Sequence, residues 1–147
     1  MMLQRGTWLV PTLSAPRAVI AASEAGARLD ESMLSKAYQV LEVHKQSFRR
    51  AVEAGVKVAM GTDSGVGPHG HNLEELGLMV DNSTMTPLQA WTATTSSAAA
   101  LCGVDDRLGT IAPGKLADFT VIQGDLGDLD KLGDRVWGVW KEGARVI

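Results

Sequence analysis

One ten-residue segment, residues 56–65, limits the possible folds of this chain more than any other feature. Its sequence is Val-Lys-Val-Ala-Met-Gly-Thr-Asp-Ser-Gly, so a short apolar strand pattern runs directly into Asp63 between two glycines. In parallel α/β architectures, a side chain just after the last apolar strand residue faces the ligand crevice. The segment therefore predicts a strand that presents a catalytic carboxylate. The alternative is a strand-end turn in which Asp63 only caps the next backbone amides.

The residues before this segment predict half of a βαβ crossover. Residues 7–10 have the pattern of a short strand that stops at Pro11, because proline cannot donate to an interior strand ladder. Residues 28–54 then carry one long helical pattern, with Asp30 placed to cap it and Gly55 to end it. Its apolar stripe consists of Leu34, Ala37, Leu41, His44, Phe48 and Val52. This order predicts that the two strands are parallel neighbours.

Two more helices are predicted after the strand end. The first covers residues 72–80 and has inward apolar positions at Leu73, Leu76 and Val80. The second has an N-cap, a first-turn proline, a capping-box glutamine and a terminal glycine, which are Thr86, Pro87, Gln89 and Gly103. We interpret Cys102, near the end of this helix, as a small buried hydrophobe.

The composition changes at Gly109, after which glycine, proline and aspartate alternate with β-prone stretches. Residues 117–122 and 136–140 have strand patterns, and Glu142-Gly143 predicts a turn towards residues 145–147. The chain is therefore expected to divide into an α/β part, residues 1–108, and a β-rich part, residues 109–147.

Charge and cysteine content restrict the classes of partner. The 147 residues carry a formal net charge of −3, which gives no broad basic field for nucleic acid or an anionic membrane. A single cysteine excludes an intrachain disulfide and a thiolate-rich zinc site. No charged leader with a long apolar core is evident, and no run approaches the roughly 20 apolar residues that span a bilayer. We expect a cytoplasmic protein that binds small molecules or another protein surface.

Two local patterns suggest other chemistry. His69 and His71 would share one face of an extended segment and could bind a metal there, although the preceding Gly-Val-Gly-Pro composition favours loop or substrate contacts. The triplet Asp63-Ser64-Gly65 also occurs in retroviral-type aspartic proteases, where two copies share a proton. That alternative requires a homodimer and an almost wholly β fold, whereas helical patterns flank Asp63 on both sides.

Several short motifs in a fixed order resemble the metal-dependent amidohydrolase superfamily, specifically its imidazolonepropionase-like and Xaa-Pro dipeptidase-like branch. The resemblance covers most of residues 6–147. It is carried by residues 55–65, His69-Gly70-x-Asn72, Glu75-Leu76, and residues 85–90, 108–111, 113–119 and 139–143.

The resemblance implies an α/β fold that corresponds to the C-terminal portion of a larger enzyme. Residues 1–108 would be a fragment of a (β/α)₈ TIM-type barrel, with the last two strands and helices. Residues 109–147 would be part of a small β-sandwich.

The resemblance also implies the chemistry. Asp63 would bind a divalent metal, zinc in the complete enzyme, and accept the proton of the attacking water. His69, Gly70 and Asn72 would border a small-molecule or dipeptide-like substrate. The reaction would be hydrolysis of a C–N bond in an amide, dipeptide or cyclic amide by a metal-activated hydroxide.

The sequence departs from the family pattern in its incomplete set of metal ligands. The H-x-H pair of the first barrel strand, the lysine of the fourth, and the histidines of the fifth and sixth have no counterpart here. A complete barrel needs around 250 residues. We therefore expect the isolated chain to be inactive, to hold no metal at useful affinity, and to form homo-oligomers or complement a missing N-terminal half. The alternative is a non-catalytic remnant or interaction module.

Overall fold

The computed structural model describes residues 1–28 and 30–147. The first part of the chain contains α1 Met2–Arg5, β1 Trp8–Leu9, α2 Ser14–Glu24, α3 Glu31–Glu53, β2 Lys57–Val58, α4 Glu74–Asp81, α5 Pro87–Thr94 and α6 Ser96–Cys102. The second part contains β3 Phe119–Ile122, a 3₁₀ helix Leu132–Arg135, β4 Val136–Lys141 and β5 Ala144–Arg145.

The strands β1 and β2 are parallel neighbours, as the strand-helix-strand order predicts. Trp8 pairs with Lys57 and Leu9 with Val58. Each strand is two residues long, shorter than its apolar pattern suggests. Both α2 and α3 lie in the connection between them. The sequence pattern did not indicate α2, since its N-cap position is occupied by Leu13, which has no polar side-chain atom.

The long helix α3 has the cap and the buried stripe that its sequence predicts. The side chain of Asp30 accepts a hydrogen bond of 2.7 Å from the backbone N–H of Ser32. Helix α3 begins at Glu31, so Arg28 lies before the helix rather than within it. The six stripe residues are all buried or half-buried, with Phe48 the most deeply buried.

Within the described residues, no helix combines the length and apolarity needed to cross a membrane.

The single helix predicted after the capping box is in fact two helices. Its capping box and its terminal left-handed glycine are both present, but the chain breaks at Thr95, where φ is −113° and ψ is −90°. The hydroxyls of Thr94 and Thr95 donate to the carbonyls of Ala90 and Trp91. Such back-bonding competes with the helical ladder and bends it, which explains the break between α5 and α6.

Two apolar clusters form the core. The first joins α2, α3, α4 and α5 through Leu13, Phe48, Met79 and Ala93. The second joins α4 and α5 to the C-terminal region through Leu76, Ala90 and Leu132. Residues before and after position 109 therefore pack together in the second cluster. The domain boundary near that position stays a prediction.

The C-terminal strands form an antiparallel sheet in the order β3-β4-β5. The predicted turn is present, with positive φ values of 51° at Glu142 and 81° at Gly143. Phe119 pairs with Trp140 across β3 and β4, and their rings stack with centroids 4.8 Å apart.

The prediction for Cys102 is wrong. This cysteine is exposed, whereas Ala99 is the buried residue of α6. Cys102 is the last residue of α6, and the chain turns away in a left-handed conformation at Gly103, so the packed face of the helix ends before it.

Candidate functional site

Asp63 lies on the carboxyl-end side of β2, as the sequence predicts, although β2 ends five residues earlier at Val58, and its side chain is exposed. Its φ of 53° is in the left-handed region, which aspartate adopts more readily than most residues. Thr12, beyond the end of β1, also has a positive φ, of 48°. Because β1 and β2 are parallel, these two unusual backbone positions lie at the same end of the sheet. Left-handed non-glycine residues are concentrated at functional sites.

The two strand ends approach each other closely at Gly61. A Cβ atom added there would lie 2.5 Å from Cγ1 of Val10, so only glycine fits without a shift of its neighbour. The loop after β2 is also tied to α2, because Ser14 Oγ donates to the carbonyl of Thr62 at 3.3 Å. Thr62 Oγ1 and Ser64 Oγ are 2.8 Å apart on either side of Asp63. The loop around Asp63 therefore has one hydrogen bond to α2, one side-chain contact within itself, and a close approach to Val10 at Gly61.

A groove of about 960 Å³ runs beside this loop, between α2, α3 and α4. Of the residues that the sequence singles out, His71 and Asn72 line the groove, together with Thr62 and Ser64. Within the described part of the chain, Asp63, His69 and Gly70 are not among its lining residues. The structure thus places the predicted residues on one loop but does not gather all of them around one cavity.

His69 and His71 are both exposed. His71 contacts a carboxylate on the neighbouring helix. Its Nδ1 lies 2.7 Å from Oε1 of Glu74, at the start of α4. Of the two interpretations of the H-x-H pair, this contact favours a loop role for His71.

The described residues do not by themselves fit a metal ion. Zinc is held by three or four convergent ligands. Across residues 1–28 and 30–147, no group of three or more His, Cys, Asp or Glu side chains is placed to hold a metal. Asp63 can supply one carboxylate, and any further ligands would come from outside this set.

Glu75 is a buried charged residue that is linked through Ser14 to the loop of Asp63. The sequence pattern predicted no function for it. It is fully buried and accepts hydrogen bonds from the backbone N–H groups of Leu13 at 2.7 Å and Ser14 at 2.8 Å. Burial raises the pKa of the Glu75 carboxyl, and the hydrogen bonds from the backbone of Leu13 and from the backbone and side chain of Ser14 act in the opposite direction. The structural feature that accounts for Glu75 is the start of α2. This helix has no capping side chain of its own, and Glu75 provides the missing acceptors.

The sequence profile of the Amidohydrolase family matches residues 1–146. The chain belongs to the amidohydrolase family. The resemblance inferred from the short motifs is thereby confirmed, and members of this family are generally metal-dependent.

Relatives with known names agree with the family assignment. This amidohydrolase chain is 41% identical to imidazolonepropionase from Deinococcus deserti over 103 residues, which cover 67% of the chain and 26% of that protein. It is 30% identical to ochratoxinase from Aspergillus niger over 147 residues, which cover 97% of the chain and 30% of that protein.

Solved structures show the same α/β fold. A crystal structure of a Xaa-Pro dipeptidase with bound methionine in the active site superposes with a TM-score of 0.88 at 37% identity. The match covers 98% of this amidohydrolase chain and 35% of the dipeptidase. The chain therefore spans about a quarter to a third of the length of the relatives named here.

Proposed function

We propose that this chain is the C-terminal segment of an amidohydrolase-type hydrolase that cleaves a C–N bond in an amide, dipeptide or cyclic amide. The observation that carries the proposal is the position of Asp63. Asp63 has a left-handed backbone conformation beyond the carboxyl end of a parallel strand, and its side chain is exposed. The surrounding fold superposes on a Xaa-Pro dipeptidase over 98% of the chain.

In this proposal β1 and β2 are the last two strands of a (β/α)₈ barrel, with residues 1–108 as the barrel segment. Active sites of such barrels lie at the carboxyl ends of the strands, where Thr12 and Asp63 are found. Residues 109–147 are the C-terminal part of a β-sandwich. The separate antiparallel sheet β3-β4-β5 supports that division.

Asp63 contributes a carboxylate for metal binding and proton acceptance, and the loop of His69, Gly70 and Asn72 borders the substrate. The lining of the groove by Asn72 supports a substrate role for this residue. Divalent zinc is the cofactor we propose for the complete site. Because the described residues supply a single suitable carboxylate, we expect no stable zinc binding by the chain alone.

A second candidate function is association with itself or with a chain that carries complementary strands. Parallel strands are normally buried on both faces of a sheet. Here the described residues provide a parallel sheet of two strands, and Val10 beside it remains 40% exposed. Such open edges favour pairing with further strands. Sedimentation velocity over a range of concentrations would show a dimer or larger species if this function operates.

A chimera tests the proposed hydrolase. The chain replaces the matching 35% of the Xaa-Pro dipeptidase, and turnover is measured on dipeptides and N-acyl amino acids with added zinc. We expect turnover that falls about 10²–10⁴-fold with Asp63→Asn, the range associated with loss of a positioned acid or base. Asparagine also tolerates a positive φ, so the backbone should be retained.

Asp106→Asn is the matched control for this substitution. It removes an exposed carboxylate whose nearest cation, on Arg107, is 4.0 Å away, so the chimera should keep its full activity. Equal turnover of the Asp63→Asn and unsubstituted chimeras would refute the role assigned to Asp63.

A further inference from the structure

The carboxylate of Glu75 is bound entirely across the fold. Glu75 lies in the first turn of α4, and its two oxygens accept from the N–H groups of Leu13 and Ser14, 62 and 61 residues away. The side chain is fully buried. A buried carboxylate is costly unless its oxygens are hydrogen-bonded, so this pair of contacts fixes its position strongly.

The acceptors that Glu75 provides replace a missing cap on α2. The first N–H groups of a helix have no partner within the helix. Leu13 occupies the N-cap position of α2 and has no side-chain oxygen to accept from them. Both oxygens of the Glu75 side chain therefore serve as acceptors at the N-terminal end of α2. The start of α2 is therefore bound by a residue of α4.

The start of α2 in turn contacts the loop that carries Asp63. Ser14, which donates its N–H to Glu75, donates its hydroxyl to the carbonyl of Thr62, the residue before Asp63. Farther along the same loop, a Cβ added at Gly67 would lie 2.8 Å from Cβ of Ala18 on α2. The loop therefore lies against α2 at two points, Thr62 and Gly67.

We propose that Glu75 is a positioning residue, whose buried carboxylate caps α2 from α4 and thereby holds the Thr62–Gly67 loop and Asp63 in place. The consequence for hydrolysis rests on the proposed function, whereas the consequence for the loop conformation does not. The carboxylate acts through Ser14 and Thr62 and has no contact with the substrate in this scheme.

The test uses amide hydrogen exchange and backbone NMR of the full isotope-labelled chain. Glu75→Gln leaves one N–H of α2 facing an amide NH₂ instead of an oxygen. We expect exchange protection at Leu13 and Ser14 to fall about tenfold or more, as for loss of a hydrogen bond to a charged group. The resonances of residues 62–67 should shift as well. Glu74→Gln, on the neighbouring exposed carboxylate, should move neither set.

Two further variants separate positioning from general stability. Ser14→Ala removes the hydroxyl that donates to Thr62 and its side-chain contact with Glu75, but it keeps the two backbone N–H donors to Glu75. Residues 62–64 should therefore shift while protection at Leu13 is kept, and this variant also covers the case in which Glu75→Gln does not fold. Phe119→Ala removes an aromatic stack in the C-terminal sheet and should leave residues 62–67 in place. Unchanged resonances of residues 62–67 in both Glu75→Gln and Ser14→Ala would overturn the proposal.

The proposal and the hydrolase function fail separately. In the dipeptidase chimera, Glu75→Gln should lower kcat about tenfold or more with a smaller change in KM, because the reacting group is misplaced while the groove walls from α3 and α4 are kept. Full activity of the Asp63→Asn chimera would refute the hydrolase role of Asp63. The hydrogen-exchange and NMR results for Glu75→Gln would still test the positioning role, because they do not depend on hydrolysis.

Discussion

Replacing Gly61 by alanine perturbs the close approach between the two strand ends. The new Cβ would lie 2.5 Å from Cγ1 of Val10, whereas ordinary contacts are 3.4–4 Å, so one side must move by about 1 Å. Overpacking of this kind costs about 1–3 kcal/mol. Alanine also restricts the unfolded chain, which returns about 0.4–1 kcal/mol. We expect a net loss of about 1–2 kcal/mol in the free energy of unfolding.

Urea denaturation followed by tryptophan fluorescence measures this loss. With a slope of about 2 kcal/mol per molar urea, in the middle of the range for small proteins, the midpoint should fall by about 0.5–1 M. The control is Gly133→Ala: among the described residues, no heavy atom lies within 4 Å of an added Cβ, and φ there is not positive. That variant should be neutral or slightly more stable.

A double-mutant cycle identifies the responsible contact. Val10→Ala removes Cγ1 and, because Val10 is 40% exposed, should itself cost only about 0.5–1 kcal/mol. In that background Gly61→Ala has room for its Cβ, so the coupling energy should be about 1–2 kcal/mol. If Gly61→Ala costs the same with and without Val10, the steric explanation is refuted.

Two other predictions concern stability. Phe48→Ala, in the first core cluster, should cost about 3–5 kcal/mol, whereas Tyr38→Ala on the exposed face of the same helix should stay within about 0.5 kcal/mol; equal urea midpoints would contradict this. Because burial raises the pKa of Glu75, its contribution to stability is complete below its ordinary value near 4.5 and is lost as pH rises through the folded value. The stability of the unsubstituted chain relative to Glu75→Gln should therefore decrease as pH rises above 4.5. A difference in stability that stays constant with pH would contradict this prediction.

Features that depend on residues close in sequence were predicted correctly. The cap at Asp30, the capping box at Thr86 and the turn at Gly143 each need groups within three residues of one another. The parallel pairing of β1 and β2 followed from the order of elements, since crossover connections in one sheet join parallel strands. The break at Thr95 was not predicted, because the continuous alanine-rich pattern outweighed the threonine hydroxyls that interrupt it.

The sequence also placed Asp63 at a strand end and identified the family, because both depend on short ordered motifs. It gave no sign that Glu75 would be buried, since that depends on contacts to Leu13 and Ser14 more than sixty residues away. Apolar periodicity marks which face of a helix is inward but not which polar group finds a partner there.

Local chemistry alone thus determined the long helix, the parallel strand pair, the C-terminal hairpin and the aspartate at the end of β2. Only the tertiary structure decided that α2 exists, that a carboxylate from α4 caps it, and that the Asp63 loop is held against it. The physical reason is that a helix without its own cap becomes stable when a distant acceptor reaches its free N–H groups, and that distance is fixed only by packing.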